Sequence, residues 1–185
     1  MKADAVKNFV CISGVITEKF THSHNNYYIS NLKVKRNSGK FDNFPIMCEW
    51  KDGLENIEVG TVVSIHGEIR HYGKMEKETK QIVLIRTIEV LDKETYENFA
   101  YVVGTVNTNY LFGEKREATI EVERVYNVTD FVTLYTFNER IEKRLRFYNP
   151  GEKICALGRL KTRYFKRYME EEKNKIIEIE IQLIL

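Results

Sequence analysis

A ten-residue segment near the end of the chain combines the two kinds of side chain that hold a nucleic-acid strand. Residues 159–168 contain five basic side chains, three aromatic side chains and no acidic one. Aromatic rings stack on bases for about 1–3 kcal/mol per base, while cations follow the phosphates. We predict a strand-binding role for these members of the segment: Lys161, Arg163, Tyr164, Phe165, Lys166, Arg167 and Tyr168. A solvated amphipathic hairpin or a dimer contact would show the same pattern.

Two aromatic runs elsewhere in the chain alternate as β-strands do. One face of the first run contains Phe44, Ile46, Cys48 and Trp50, and one face of the second contains Phe131, Thr133, Tyr135 and Phe137. Such a face is a stacking platform if it points outward and ordinary core if it points inward. The opposite face of the second run, Val132, Leu134 and Thr136, makes an acceptable core, which favours the outward orientation there. The opposite face of the first run includes Pro45 and Glu49, and both orientations stay open.

A smaller basic cluster precedes the first aromatic run and contains Lys33, Lys35, Arg36 and Lys40. It lies on and after residues 28–36, which alternate apolar and polar side chains as a half-buried strand does. We take Lys33, Lys35 and Arg36 as candidates for phosphate contacts. Ordinary surface cations explain this cluster equally well.

The composition is that of a soluble, packed protein. Of 185 residues, 43% are hydrophobic and 30% charged, with 29 Lys and Arg against 27 Asp and Glu. The formal charge of +2 neither indicates nor excludes a nucleic-acid partner, because a local groove matters more than the total. No stretch approaches the roughly 18 uncharged apolar residues of a membrane helix. The three widely spaced cysteines form no disulfide framework, so a reducing cytoplasm is expected. A nucleic-acid-binding role would make the protein nucleoid-associated there.

The chain also repeats itself. Gly14 in the segment 8–16 matches Gly104 in the segment 98–106, an offset of 90 residues. Gly60 and Gly67 match Gly151 and Gly158 at an offset of 91, and the segment 85–91 matches 179–185 at an offset of 94. Three anchors in the same order predict two copies of one domain, residues 1–92 and 93–185.

Within each copy the pattern predicts strands, with one helical signal between the third and fourth. In the second copy this signal is the spacing of Ile141, Leu145 and Tyr148, and in the first it is a short turn through Leu54 and Ile57. Five strands with a helix in that position is the order of an OB-fold, a partly open five-stranded barrel. The predicted fold is therefore all-β, with two tandem OB-fold barrels. Four glycines suit the places where a strand must coil tightly to close such a barrel: Gly14, Gly67, Gly104 and Gly158.

One segment of the first copy resembles a known family. Residues 44–51 followed by 59–70 are similar to the bacterial single-stranded DNA-binding protein, in which an aromatic third strand leads into a short helix and a glycine-centred fourth strand. Residues 150–164 of the second copy keep more of that pattern. The resemblance implies binding of single-stranded DNA without sequence preference, in replication, recombination and repair, and RNA as a ligand stays open. By position it implies stacking on bases for Phe44, Trp50, Phe131 and Phe137, for an aromatic near Phe165, and approximately for Tyr72. Arg70 and Tyr135 are further candidates for nucleic-acid contacts.

The family also carries expectations about assembly. Its members act mostly as four OB-folds, so a two-copy chain would reach that number as a homodimer. The acidic C-terminal tail through which the family recruits other proteins is absent from this sequence, which stops inside a predicted strand at Leu185. Recruitment through such a tail is therefore not expected.

The two copies differ where a ligand would lie. The second predicted strand carries Lys33 and Lys35 in the first copy but Glu121 and Glu123 in the second. Carboxylates facing a phosphodiester would repel it, so the second copy is expected to hold a strand only through its third strand and hairpin.

Enzymatic signatures are missing. The sequence has no phosphate-binding glycine loop, metalloprotease histidine pair or nucleophile elbow, so neither an enzyme nor a cofactor is predicted. His22 and His24 with Cys11 match no zinc spacing. The alternative function is a tandem OB-fold assembly module that binds other proteins through its sheet edges, for which the modest net charge and the two glutamates leave room.

Overall fold

The computed structural model describes residues 7–23, 26–50, 52–72, 80–124, 128–165 and 174–185, without the side chains of residues 72, 80, 112, 165 and 174. This part of the chain folds into strands, a 3-10 helix at Leu54–Asn56 and the helix α1 at Glu139–Leu145. The strands are β1 (Asn8–Ile16), β2 (Thr21–His22), β3 (Tyr28–Lys35), β4 (Phe41–Cys48), β5 (Val62–Tyr72), β6 (Lys80–Val90), β7 (Asn98–Phe112), β8 (Lys115–Glu123), β9 (Thr129–Thr136), β10 (Lys153–Phe165) and β11 (Asn174–Ile184).

The chain divides into two units. The N-half unit contains the described residues of Val10–Asn98 and of Thr162–Ile177, and the C-half unit contains those of Met1–Phe9, Phe99–Lys161 and Glu178–Leu185. We call Thr162–Ile177 the arm. It comes from the second sequence copy but belongs to the unit built mainly from the first.

In the N-half unit the strand pairs form a closed circuit. β1 pairs with β3, β3 with β4, β4 with β6, β6 with β5, and β5 again with β1. All pairs are antiparallel except β4 with β6, which is parallel. This closed five-stranded barrel has the strand order of an OB-fold. The predicted all-β class and OB-type barrel are confirmed.

The C-half unit repeats the same order of neighbours. β7 pairs with β8 and β10, β9 pairs with β8 and β11, and β10 neighbours β11. The pair β9–β11 is again parallel. The helix α1 follows β9 in the chain, and the 3-10 helix follows β4.

Capping fixes both ends of α1. The Asn138 side chain accepts hydrogen bonds from the backbone of Arg140 and Ile141 at 3.0 and 3.2 Å, which satisfies amides that have no partner within the helix. At the other end Asn109 Nδ2 donates to the carbonyl oxygens of Leu145 and Tyr148 at 2.7 and 2.8 Å. The fully buried Leu145 side chain anchors the helix in the unit.

At two glycines the neighbouring strand approaches too closely to leave room for a side chain. A Cβ added to Gly14 would overlap the carbonyl oxygen of Lys33, and one added to Gly104 would overlap that of Glu121. Only a residue without a side chain fits there, as the sequence predicted for tight coiling.

The same kind of ion pair closes the turn between β3 and β4 in the N-half unit and the turn between β8 and β9 in the C-half unit. Arg36 Nε donates to Asp42 Oδ2 at 2.6 Å, and Arg124 Nε donates to Asp130 Oδ2 at 2.5 Å. Both aspartates are buried and lie opposite a buried valine of the neighbouring strand, Val34 or Val122. Residues 88 apart in sequence therefore occupy equivalent positions on the second and third strands of the two units.

Candidate nucleic-acid interface

The outer face of β3 and β4 in the N-half unit carries cations beside an exposed ring. Lys35 pairs with Phe41 across the two strands, and Lys33 pairs with Asn43. The Phe41 ring is 46% exposed, and the Lys33 ammonium lies 4.2 Å from its centroid. The alternating residues Leu32, Val34, Asp42 and Phe44 point into the barrel and are buried.

A second ring joins this face from the segment after β6. Tyr96 is 53% exposed, and the Lys35 ammonium lies 5.6 Å from its ring centroid. Its backbone φ of 57° lies in the left-handed region, which a bulky residue seldom adopts. The contacts around Tyr96 must therefore hold its backbone in this conformation, which places the ring beside Lys35.

The arm adds a third lysine–aromatic pair. The Thr162 amide and hydroxyl both donate to Asp42 Oδ1, at 2.8 and 2.9 Å, and the Ile177 amide donates to Gln81 Oε1 at 2.6 Å. Lys175 Nζ donates to the carbonyl oxygen of Asn43 at 3.2 Å and lies 5.4 Å from the Tyr164 ring centroid. The described ends of the arm are thus held on β4 and β6, with the Tyr164 ring 55% exposed.

Together these residues form what we call the Lys–aromatic surface: Lys33, Lys35, Phe41, Tyr96, Tyr164 and Lys175. Among the described residues, none of its three ammonium groups pairs with a carboxylate. The surface therefore offers exposed rings for stacking and unneutralised positive charge for phosphates. Sequence reasoning named Lys33, Lys35 and Tyr164 but missed Phe41, Tyr96 and Lys175.

The prediction that Phe44 binds a base is wrong, because its ring is fully buried in the barrel. Asp42 must point inward to reach Arg36, and alternation then sends Phe44, Ile46 and Cys48 inward as well. The recurrence of this Arg–Asp spacing at residues 124 and 130 was a signal that could have set the register.

Trp50 follows β4 and is half-buried. It lines a shallow depression of about 410 Å³ together with Leu54, Ile57, Arg86 and Ile88. Arg86 is held there by Glu68, at 2.9 Å from its Nε. Stacking by Trp50 stays a prediction.

Other predicted cations are engaged in ion pairs. Arg36 is bound to Asp42, and the largely buried Arg70 is bound to Glu68. Lys161 Nζ lies 3.4 Å from Glu180 Oε2. Arg163 is half-buried on β10. The side chains of Tyr72 and Phe165, and all of Lys166, Arg167 and Tyr168, lie outside the described residues.

On the third strand of the C-half unit, alternation places the predicted aromatic face outward. Val132, Leu134 and Thr136 are buried, whereas Phe131 is 43% and Phe137 64% exposed. Tyr135 lies between them but is only 6% exposed, and the Lys115 ammonium lies over its ring at 4.1 Å from the centroid. The ring predicted to stack is thus already covered by a cation of the same unit.

The described residues give no sign of nucleophilic, metal or membrane chemistry. Burial raises the pKa of the Cys48 thiol to about 11, and burial together with Glu97 raises the pKa of the Cys11 thiol. Both thiols are therefore poor nucleophiles at neutral pH. Within the described ranges, no group of three or more His, Cys, Asp and Glu residues is placed to hold a metal ion. No helix among them is long and apolar enough to span a bilayer.

Comparison with known proteins places this architecture among OB-fold proteins. No family model matches the chain, and no curated protein matches its sequence. Among solved structures, the wild-type single-stranded DNA binding protein from Thermus aquaticus gives a TM-score of 0.70 at 14% identity, over 96% of this chain and 91% of that chain. A deletion mutant of that protein gives 0.64 at 15% identity, over 96% and 93%. The resemblance predicted from the sequence is confirmed, and at these identities it establishes the fold.

Proposed function

We propose that the chain is a tandem OB-fold protein that binds single-stranded DNA without sequence preference. Bases stack on exposed rings while lysines contact the phosphates, and the protein serves as an accessory in replication, recombination and repair. The observation that carries the proposal is the Lys–aromatic surface, with its exposed rings beside ammonium groups that no described carboxylate neutralises.

Two further points support this assignment. The surface lies on the outer face of an OB-type barrel, a fold that binds single strands with a charged groove and aromatic rings. Two solved structures that each match over 96% of this chain are described as single-stranded DNA binding proteins. We also propose a homodimer, which would bring four OB-folds together.

The test is fluorescence anisotropy of a labelled oligo(dT) at two salt concentrations, with duplex DNA of the same length as the control. Three lysines that each contact a phosphate give a salt slope of about −2 for single strands. The variant Lys33→Ala/Lys35→Ala should reduce that slope to about −0.7. The matched control is Lys143→Ala, which removes an exposed lysine paired with Glu139 on α1.

A folded protein that binds no oligo(dT) at low salt, or that binds duplex equally well, would overturn the proposal. It would instead favour the tandem OB-fold assembly module, whose partners are proteins.

A further inference from the structure

The two units can be compared position by position on the outer face that would meet a strand. Residues of β3 and β4 are equivalent to residues 88 positions later, on β8 and β9. Residues of β6 are equivalent to residues 96 positions later, on β11, because Ile46 pairs with Val83 as Leu134 pairs with Ile179. The close approach of Gly67 to Leu84 and of Gly158 to Glu180 supports the second equivalence independently.

One row of this face is apolar in the N-half unit and ionic in the C-half unit. Met47, Ile82 and Leu84 form a cluster only 4–6% exposed, against which Tyr27 and Ile29 pack. The equivalent residues of the C-half unit are Tyr135, Glu178, Glu180, Lys115 and Glu117. Lys115 Nζ lies 3.0 Å from Glu117 Oε2 and 3.1 Å from Glu178 Oε2, and all three residues are buried.

The neighbouring positions on the same face carry opposite charges in the two units. Lys33 and Lys35 of the N-half unit have Glu121 and Glu123 as counterparts. Asn107 donates to Glu121 at 2.5 Å and Lys7 lies 3.5 Å from Glu123, so both carboxylates have partners of their own. Glu121 pairs directly across the strands with Phe131. A base stacked on that ring would bring its phosphate close to a carboxylate.

The aromatic positions have changed as well. The equivalent of Phe41 is Thr129, and the ring of Tyr135 is covered by Lys115. The outer face of the C-half barrel thus keeps the exposed rings of Phe131 and Phe137, but the counterparts of Lys33 and Lys35 beside them are glutamates.

We propose that each chain carries one strand-binding surface, on the N-half unit, and that the equivalent face of the C-half unit is closed to nucleic acid by its own ion pairs. The second copy contributes to binding through its arm, which brings Tyr164 and Lys175 to the surface of the first. This inference rests on the proposed function, because it assigns that function to one face of the two.

The experiment has two parts, both with the full chain. Stoichiometric titration with an oligo(dT) too short to span two OB-folds counts the sites, and one oligonucleotide per chain is expected. Affinity is then measured for Lys33→Glu/Lys35→Glu, which gives the N-half unit the charges of the C-half unit. Because like charges cost several kcal/mol, we expect a loss of at least about 100-fold. The matched variant Phe131→Ala/Phe137→Ala should stay within about twofold of the wild type.

Two oligonucleotides per chain, or an equal loss of affinity in both variants, would overturn the inference while leaving strand binding intact. A wild-type protein that binds no oligo(dT) would overturn the proposed function itself, so the two failures are distinguishable. Circular dichroism and thermal unfolding of each variant show that the fold is kept.

Discussion

Phe41 and Phe44 lie three positions apart on β4, and alternation along the strand separates their roles. Phe41 points outward beneath the Lys33 ammonium, whereas Phe44 fills the barrel with no exposed surface. Whether an aromatic ring in a strand can contact a ligand therefore depends on the face of the strand to which its side chain points.

We expect Phe41→Ala to weaken oligo(dT) binding by about 5- to 150-fold, because one stacked base contributes about 1–3 kcal/mol. Its stability should hardly change, since the ring is 46% exposed. Anisotropy titration measures the first effect and urea unfolding the second. The control is Phe147→Ala, which removes a ring that is 77% exposed outside the surface. Equal losses of affinity in both variants would contradict the assignment of Phe41.

Phe44→Ala should behave in the opposite way. Truncation of a fully buried phenylalanine leaves a cavity and lowers the free energy of unfolding by about 3–5 kcal/mol. Urea unfolding followed by Trp50 fluorescence measures this loss. If stability were unchanged, Phe44 would not be a core residue.

At the scale of elements, the arm and α1 are each held by a few polar contacts. Asp42 closes the turn between β3 and β4 through Arg36 and also accepts both hydrogen bonds of Thr162. One carboxylate thus couples a local turn to the arm that carries Tyr164 and Lys175.

Thr162→Val should lower the free energy of unfolding by about 0.5–1.5 kcal/mol, because the shape is kept and one hydrogen bond to Asp42 is lost. Binding of oligo(dT) should weaken at the same time, since the arm positions part of the Lys–aromatic surface. The same two measurements on Thr119→Val, on the outer face of β8, serve as the comparison. Unchanged affinity in Thr162→Val would show that the hydroxyl bond to Asp42 is not needed to position the arm for binding.

The helix α1 is tied to the sheet by an ion pair with a defined pH dependence. Arg116 Nε donates to Glu142 Oε1 at 2.7 Å, and this contact, with a second from Arg146, lowers the pKa of Glu142. A carboxyl whose pKa is lowered in the folded state stabilises above its ordinary pKa, about 4.3, and loses that contribution as the pH falls.

We therefore expect the difference in Tm between the wild type and Glu142→Gln to be largest near neutral pH and to shrink below about pH 4.3. Differential scanning calorimetry across that range measures it. Glu139→Gln should show a smaller difference, because its pair with Lys143 is exposed to solvent. A constant difference across the range would rule out the ion pair as its cause.

Several of these features were predictable from the sequence. The others depend on contacts that the local pattern of residues does not encode. The alternation of apolar and polar residues and the spacing of the glycines suffice to predict the barrel, because both follow from local strand geometry. The orientation of β4 was left open, although Pro45 and Glu49 already made a poor core and the recurring Arg–Asp spacing fixed the register. Tyr96 and Lys175 join the surface through tertiary contacts across long sequence separations, which no local period encodes.

At the scale of the whole molecule, each unit takes most of its residues from one sequence copy and a smaller part from the other. A cut at the predicted domain boundary, between residues 92 and 93, would separate the arm from the rest of the N-half unit. The N-half unit would lose the bonds of the arm to Asp42, Asn43 and Gln81.

A fragment of residues 1–92 should consequently be less stable than the N-half unit of the full chain, by about 0.5–1.5 kcal/mol for each lost hydrogen bond. Trp50, the only tryptophan, reports unfolding in both proteins. Urea titration followed by its fluorescence measures the difference. Equal midpoints would show that residues 1–92 form an independent domain.

The position of the arm has a consequence for synthesis. The N-half unit includes residues as far along as Ile177, so it is incomplete until translation has passed that residue. A nascent or prematurely terminated polypeptide that contains the whole first copy would still lack Tyr164 and Lys175. Such a product would emerge from the ribosome with the strands β1 to β6 present but the Lys–aromatic surface unfinished, and that surface would be completed only when the arm has been synthesised.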